Sequence, residues 1–397
     1  MKTIAKDIFI VVAGIALIWL GYNYWSNKAE VEPQIGMPDQ GSSNLVEAGN
    51  KTEFPLKLPE DFSIETFAGD LPGARVLVQD GLGNFWVSRT DRGVVTLLEM
   101  QDGRVVRQND VFRGLRNPHG LAVDPQNGTT LYIAEEHRVS YVALYSEDTL
   151  HKIADLPTSG GGHFTRTIDF GPDGKLYVSI GSSCNVCAEK DPRRAAIYAM
   201  NKDGSDFKSY ATGLRNTVFF TWSDVDGRMW GTDMGRDMLG DDLPPEEINI
   251  IEEGKNYGWP ICYGNNINDR NFDKNTYIQD PCSDKVAPKV EMQAHSAPLG
   301  LGFVPEEGWP REYWYNLIVA FHGSWNRSTP TGYKLVRIIL DDKGNYIGTE
   351  DFITGWLQNG SALGRPVDVK IWDGGTMYVT DDKAGLIYKI QYVRPQP

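Results

Sequence analysis

The chain is expected to be all-β, a six-bladed β-propeller preceded by an N-terminal membrane-anchor helix. Three observations predict this. One strand–turn–strand pattern occurs six times along the chain. Its copies are spaced by roughly 40 to 80 residues, as propeller blades are. The 42 Gly, 22 Pro, 18 Tyr and 11 Trp among 397 residues suit many short strands joined by tight turns. A single four-stranded blade cannot bury both of its faces, whereas a closed ring of six can.

The first 25 residues read as a signal anchor. Lys2 and Lys6 precede an apolar run from Ile8 to Leu20, and Tyr22, Tyr24 and Trp25 follow it. A positive flank, an apolar middle and an aromatic belt are membrane features. The strictly apolar part is about 13 residues, and Gly21 to Trp25 lengthens it to about 18. A cleaved signal peptide is the alternative, although bulky Tyr22, Tyr24 and Trp25 stand where a cleavage site would have small residues. Either reading exports the rest, to the periplasmic side of the inner membrane. Residues 26–54, rich in Pro, Gly, Ser, Asn and Glu, have linker composition. The propeller is expected over 55–397.

Phe62 to Phe67 alternates as a strand should and is placed to complete the last blade. The six copies then run Val76–Ser88, Gly120–Glu135, Thr167–Ser179, Val218–Thr232, Leu299–Phe321 and Val367–Thr380. Each alternates apolar and polar residues around a turn, most plainly Phe170-Gly171-Pro172-Asp173-Gly174-Lys175. Residues just before each copy should line one funnel. They are Arg75, Asn117 to His119, His163 with Arg166, Arg215 with Asn216, His295 with Ser296, and Arg365. Four arginines and three of the six histidines, with no carboxylate, make a cationic funnel in a chain of net charge −14. Such a funnel suits a small polyanion, while the overall charge argues against nucleic acid.

Four cysteines are present, Cys184 and Cys187 as C-x-x-C, and Cys262 and Cys282 flanking an Asn/Asp-rich loop. An even count in an exported chain favours disulfides, Cys184–Cys187 and Cys262–Cys282 being the local choice among three connectivities. A four-thiolate zinc site is the rival, weakened by the twenty-residue spacing of the second pair.

Gly162-His163-Phe164-Thr165-Arg166, Gly213-Leu214-Arg215-Asn216, Glu247 to Ile251 and Asn256-Tyr257-Gly258-Trp259-Pro260 resemble the soluble quinoprotein glucose dehydrogenase and L-sorbosone dehydrogenase family, over roughly residues 60 to 393. The resemblance implies pyrroloquinoline quinone and Ca²⁺ as cofactors. It implies oxidation of an aldose or sugar aldehyde by base-assisted hydride transfer to the quinone. His163 matches the catalytic base and Arg215 stabilises developing charge. Arg215 and Asn216 lie beside the quinone, Arg365 binds a carboxylate and His322 falls near a basic cofactor contact. His119 and Arg166 complete the expected cofactor-binding set. Backbone carbonyls of Gly235 and Arg236 would bind one calcium, and Glu247 with the Tyr257 carbonyl a second. Met234 departs from the family's glutamine, which leaves cofactor affinity open. Without a C-x-x-C-H haem site, electrons must pass to a separate acceptor. A calcium-dependent lactone hydrolase and a non-catalytic binding propeller are the rival functions.

Overall fold

The computed structural model describes residues 44–158, 162–372 and 374–393. Six four-stranded antiparallel sheets follow one another along the chain. Blade 1 holds Ala74–Gln79, Phe85–Arg89, Val94–Gln101 and Arg104–Arg113; blade 2 holds Gly120–Val123, Thr130–Glu135, Arg138–Ala143 and His151–Asp155. Blade 3 is Ile168–Phe170, Leu176–Ile180, Ala196–Met200 and Lys208–Thr212; blade 4 is Thr217–Trp222, Met229–Asp233, Glu246–Ile251 and Val290–Met292. Blade 5 comprises Pro298–Phe303, Leu317–Phe321, Lys334–Leu340 and Tyr346–Ile353. Blade 6 comprises Pro366–Trp372, Thr376–Asp381 and Leu386–Tyr392, and its outermost strand is the early segment Phe62–Ala68. The closing strand expected near residue 62 is thus observed. First strands of successive blades pack together, save that in blade 3 the second strand, Leu176–Ile180, meets the first strand of blade 4; that of blade 6 packs against that of blade 1, and the ring is complete.

Polar links hold neighbouring blades in register. Near the end of the second strand, Ser88, Thr232 and Thr380 each donate a hydroxyl to the next blade, at His119 O (2.7 Å), Leu299 O (2.7 Å) and Arg75 O (2.6 Å). Thr167 donates likewise from blade 3 to Val218 O of blade 4, and close approach replaces such a link between blades 2 and 3. A Cβ on Gly120 would sit 2.3 Å from Arg166 O, so only glycine fits there. Apolar packing does the rest: Phe62, 2% exposed, contacts Trp309, Tyr313, Phe352 and Tyr392 edge-on. Burying such a ring contributes about 2–3 kcal/mol.

The folded part starts earlier than composition suggests. Leu45–Val46 pairs with Leu58–Pro59, and Asn50 Nδ2 donates to Phe54 O and Leu56 O. Residues 44–54 therefore dock on the propeller and are no linker, because side-chain hydrogen bonds order a stretch that has few large apolar groups. Residues 1–25, and 26–43 of the expected linker, lie outside the described residues. Among the described residues no helix is long and apolar enough to cross a membrane. Both disulfides form as the local pairing, Cys184–Cys187 and Cys262–Cys282, so no thiolate remains for zinc.

Candidate active site

Antiparallel strands bring the chain back to the face from which it left. The funnel is therefore lined by the starts of first strands and by the loops that follow second strands. The latter supply Asp91, Glu136, Ser182, Met234, His322 and Asp382, which a search of strand starts alone does not find. A cavity of about 270 Å³ is lined by Gly73, Arg75, Thr90, Asp91, Asn117, Phe164 and Asp382. The funnel is thus not free of carboxylates. Asp382 accepts from Arg75 Nη1 at 2.8 Å and pairs with His322 Nε2 at 3.0 Å. Burial opposes ionisation of Asp382, but His322 and Arg75 hold its carboxyl well below the usual range.

Carboxylates also fix where the strands begin. Asp233, closing the second strand of blade 4, accepts from Arg215 N (2.9 Å), Asn216 N (2.7 Å) and Thr217 Oγ1 (2.9 Å). Asp381 accepts from Arg365 N at 2.8 Å in blade 6, and Glu135 from Arg116 N at 2.8 Å in blade 2. Each carboxylate turns one loop so that its side chains face the axis. Burial pushes Asp233 and Asp381 up to about 6, against the hydrogen bonds that favour their charge.

His163 and Asn216 flank Gly181. A Cβ on Gly181 would lie 2.5 Å from Asn216 Oδ1 and 2.7 Å from His163 Cβ, so this approach requires glycine. The tautomer of His163 follows from its partner. Ser182 Oγ donates to Cys184 O at 2.7 Å, and so accepts from His163 Nδ1 at 2.9 Å. The ring proton sits on Nδ1 and the lone pair on Nε2. Burial first, then the charge of Arg215, pushes His163 down to about 3, so the imidazole is neutral at pH 7. Arg215 donates to Asn185 O (2.9 Å), Asn185 Oδ1 (2.9 Å) and Met234 O (3.2 Å), with Asp237 at 3.5 Å. Asn216 Oδ1 is buried and has no partner among the described residues.

Other expected residues fare differently. Arg365 approaches His322 Nδ1 and Tyr333 Oη at 3.3 Å, with no carboxylate at its guanidinium among the described residues. Arg166 is not free to bind a cofactor. It is fully buried and donates to Pro157 O, His163 O and Thr165 O, and Arg194 also holds Pro157 O and His163 O. The two guanidinium groups clamp the segment that carries His163; burial pushes Arg166 down to about 9. His119 is wholly buried against Thr167 and Phe219, its Nε2 unpartnered among the described residues. It packs between blades 2, 3 and 4. His295 turns away, its Nε2 donating to Gly240 O at 2.8 Å.

Gly235, Arg236, Glu247 and Tyr257 line one cavity of about 20 Å³, together with Arg215, Asp233 and Asp269. That is room for one water or ion. Burial pushes Glu247 up to about 8, with Asp233 adding repulsion, and burial does the same to Glu246. Arg236 sits on Asp269 at 2.6 Å, so this carboxylate already holds a cation. The carboxylates alone form no cage. Among the described residues, the one group of three potential ligand atoms within 4.8 Å of one another is Cys184, Cys187 and Glu189, whose sulfurs are joined. Glu247, Asp233 and Asp269 nonetheless concentrate hard oxygen donors around this cavity.

The TrAA12-like family matches residues 56–393. The chain belongs to that family. An uncharacterised protein of Borreliella burgdorferi is 31% identical, the alignment covering 88% of this chain and 94% of that one. The pyrroloquinoline quinone-dependent pyranose dehydrogenase of Coprinopsis cinerea is 24% identical over 85% of this chain, which spans 55% of that longer protein. The holo form of its quinone domain shares the fold, with TM-score 0.72, 22% identity and coverage of 86% and 98%. The calcium structure of the family AA12 carbohydrate-active enzyme of Trichoderma reesei gives TM-score 0.72 and 21% identity, covering 86% of this chain and all of that one. The resemblance read from the motifs is borne out at the level of family and fold.

Proposed function

We propose that this propeller is a dehydrogenase of an aldose or sugar aldehyde that depends on pyrroloquinoline quinone and calcium. One observation carries the reading. A neutral imidazole with its lone pair on Nε2 stands at the funnel mouth beside a fixed guanidinium. That pairing suits removal of a hydroxyl proton from a carbon undergoing oxidation.

The residues fit the cofactor. Arg365 lacks a carboxylate partner among the described residues, and would take a carboxylate of the quinone bidentately. The turn at Gly235 and Arg236, held by Glu246 Oε2 on Gly235 N at 2.7 Å, would present its carbonyls to calcium. When bound, the quinone supplies the two-electron acceptor. His163 takes the hydroxyl proton at Nε2, Ser182 keeps the Nδ1 proton in place, and Arg215 offsets negative charge that develops nearby. Phe164, 42% exposed next to His163, and the cavity it lines make room for a sugar ring.

Location and partners complete the proposal. Two disulfides support work outside the cytoplasm, and the sequence of residues 1–25 supports attachment to the periplasmic side of a membrane. Electrons leave to a separate acceptor. The test is reconstitution of purified protein with quinone and calcium, followed by dye-linked assays on a panel of aldoses and sugar aldehydes. Quinone binding without oxidation of any substrate would replace this reading with a binding propeller. Calcium-dependent cleavage of lactones without quinone would replace it with a hydrolase.

A further inference from the structure

Residues 181–195 join the second and third strands of blade 3, and this loop touches both His163 and Arg215. Loops of this length need their own supports. Three are present. Cys184 and Cys187 close a four-residue ring; Glu189 accepts from Ser183 N (2.6 Å) and Ser183 Oγ (2.7 Å); Asn185 Nδ2 donates to Asp237 O of blade 4 at 3.1 Å.

Two arms run inward from the ring. In one, Cys184 O accepts the Ser182 hydroxyl, which turns the Ser182 lone pairs toward His163 Nδ1. In the other, Asn185 presents both its backbone oxygen and Oδ1 to Arg215, each at 2.9 Å, while Oδ1 also accepts from Asp237 N at 2.8 Å. Neither acceptor is effective unless the short ring keeps its backbone direction, and a covalent closure removes that freedom.

We propose that the Cys184–Cys187 ring is a positioning device, setting the protonated nitrogen of His163 through Ser182 and the direction of the Arg215 guanidinium through Asn185. Its catalytic consequence rests on the dehydrogenase reading, but the geometry belongs to the cofactor-free protein. Ser182 and Asn185 are positioning residues. Only the Nδ1–H tautomer leaves Nε2 able to act as a base, and only a fixed Arg215 keeps its charge beside it.

The test uses cofactor-free, ¹⁵N-labelled protein at pH 7. In the wild type, His163 should show the Nδ1–H tautomer alone, and the Arg215 Nη2–H signal, held by Asn185 Oδ1, should be protected from exchange. Ser182→Ala should give a tautomer mixture with Arg215 still protected. Asn185→Ala should leave the tautomer unchanged, expose the Arg215 signal and weaken quinone binding about tenfold, as loss of one charge-assisted contact does. The double variant Cys184→Ser, Cys187→Ser should show both defects. Wild-type protein with the proton on Nε2 would overturn the proposal, as would a double variant with neither defect. Should the double variant not fold, wild-type signals in both Ser182→Ala and Asn185→Ala overturn it. Failure of the dehydrogenase reading looks different: no substrate is oxidised although the tautomer and Arg215 signals are as described.

Discussion

Replacing His163 by Gln keeps a polar side chain of similar reach and removes the base. The structure sets both the size and the pH dependence of the effect. With its pKa pushed down to about 3, the imidazole stays neutral through the whole working range. At pH 5 a histidine of ordinary pKa would be only about 3% neutral, whereas this one is about 99% neutral. Wild-type kcat/KM should therefore show no loss from this group between pH 8 and pH 5. His163→Gln should lower kcat by about 10²- to 10⁴-fold, or about 3–5 kcal/mol of barrier. The assay is single-turnover reduction of bound quinone by sugar, for both proteins, across that pH range. Their ratio isolates His163, because other titrating groups are common to the two proteins. A ratio that falls about 25-fold between pH 7 and pH 5 would refute the buried, cation-flanked imidazole. A ratio near one throughout would refute the base itself.

Arg215→Ala should weaken quinone binding and turnover together, by about 2–4 kcal/mol, and raise the His163 pKa; titration of the cofactor with fluorescence detection checks the first effect. Glu246 and Glu247, pushed up to about 8 by burial, hold protons in the folded state that the unfolded chain releases near 4.5. Stability of the metal-free protein should therefore fall as pH rises from about 5 to 8, and calcium should restore it most at the alkaline end, read as Tm with and without the ion. Joint replacement of Cys262 and Cys282 by Ser should cost about 3 kcal/mol in urea unfolding, given the 20-residue separation. Phe62→Ala should cost about 3–5 kcal/mol by the same measurement, since four rings pack on it across the ring closure.

Much of this was legible in the sequence because propeller blades repeat a short-range code. Alternation such as Leu176-Tyr177-Val178-Ser179 and turns such as Asp173-Gly174 are local, and six copies in phase leave few alternatives. The starts of first strands gave His163, Arg215, Asn216 and Arg365. What escaped lies on the returning limb: Asp382, Ser182 and Asn185 sit after second strands, and antiparallel pairing puts them on the same face. Arg166 shows a different limit. Its place before a strand matches the cationic pattern, but backbone carbonyls of Pro157 and His163 claim its guanidinium, and no residue type announces a carbonyl acceptor. Residues 44–54 looked like a tether because Asn50 and its partners order the chain by hydrogen bonds and not by apolar bulk.

The strand that completes blade 6 has a consequence for how the chain is made. Phe62 pairs with Tyr392, nearly the whole described chain apart. During synthesis, the early strand emerges long before its partner exists. It must wait, with its edge unpaired, while five blades form beside it. A protein closed in this way presents bare strand edges until the last blade arrives, when slow, non-local pairing seals the ring. Loss of Leu386–Tyr392 would thus leave the early strand Phe62–Ala68 without its partner, and proteolysis of the newly made chain should be fastest before residue 392 emerges.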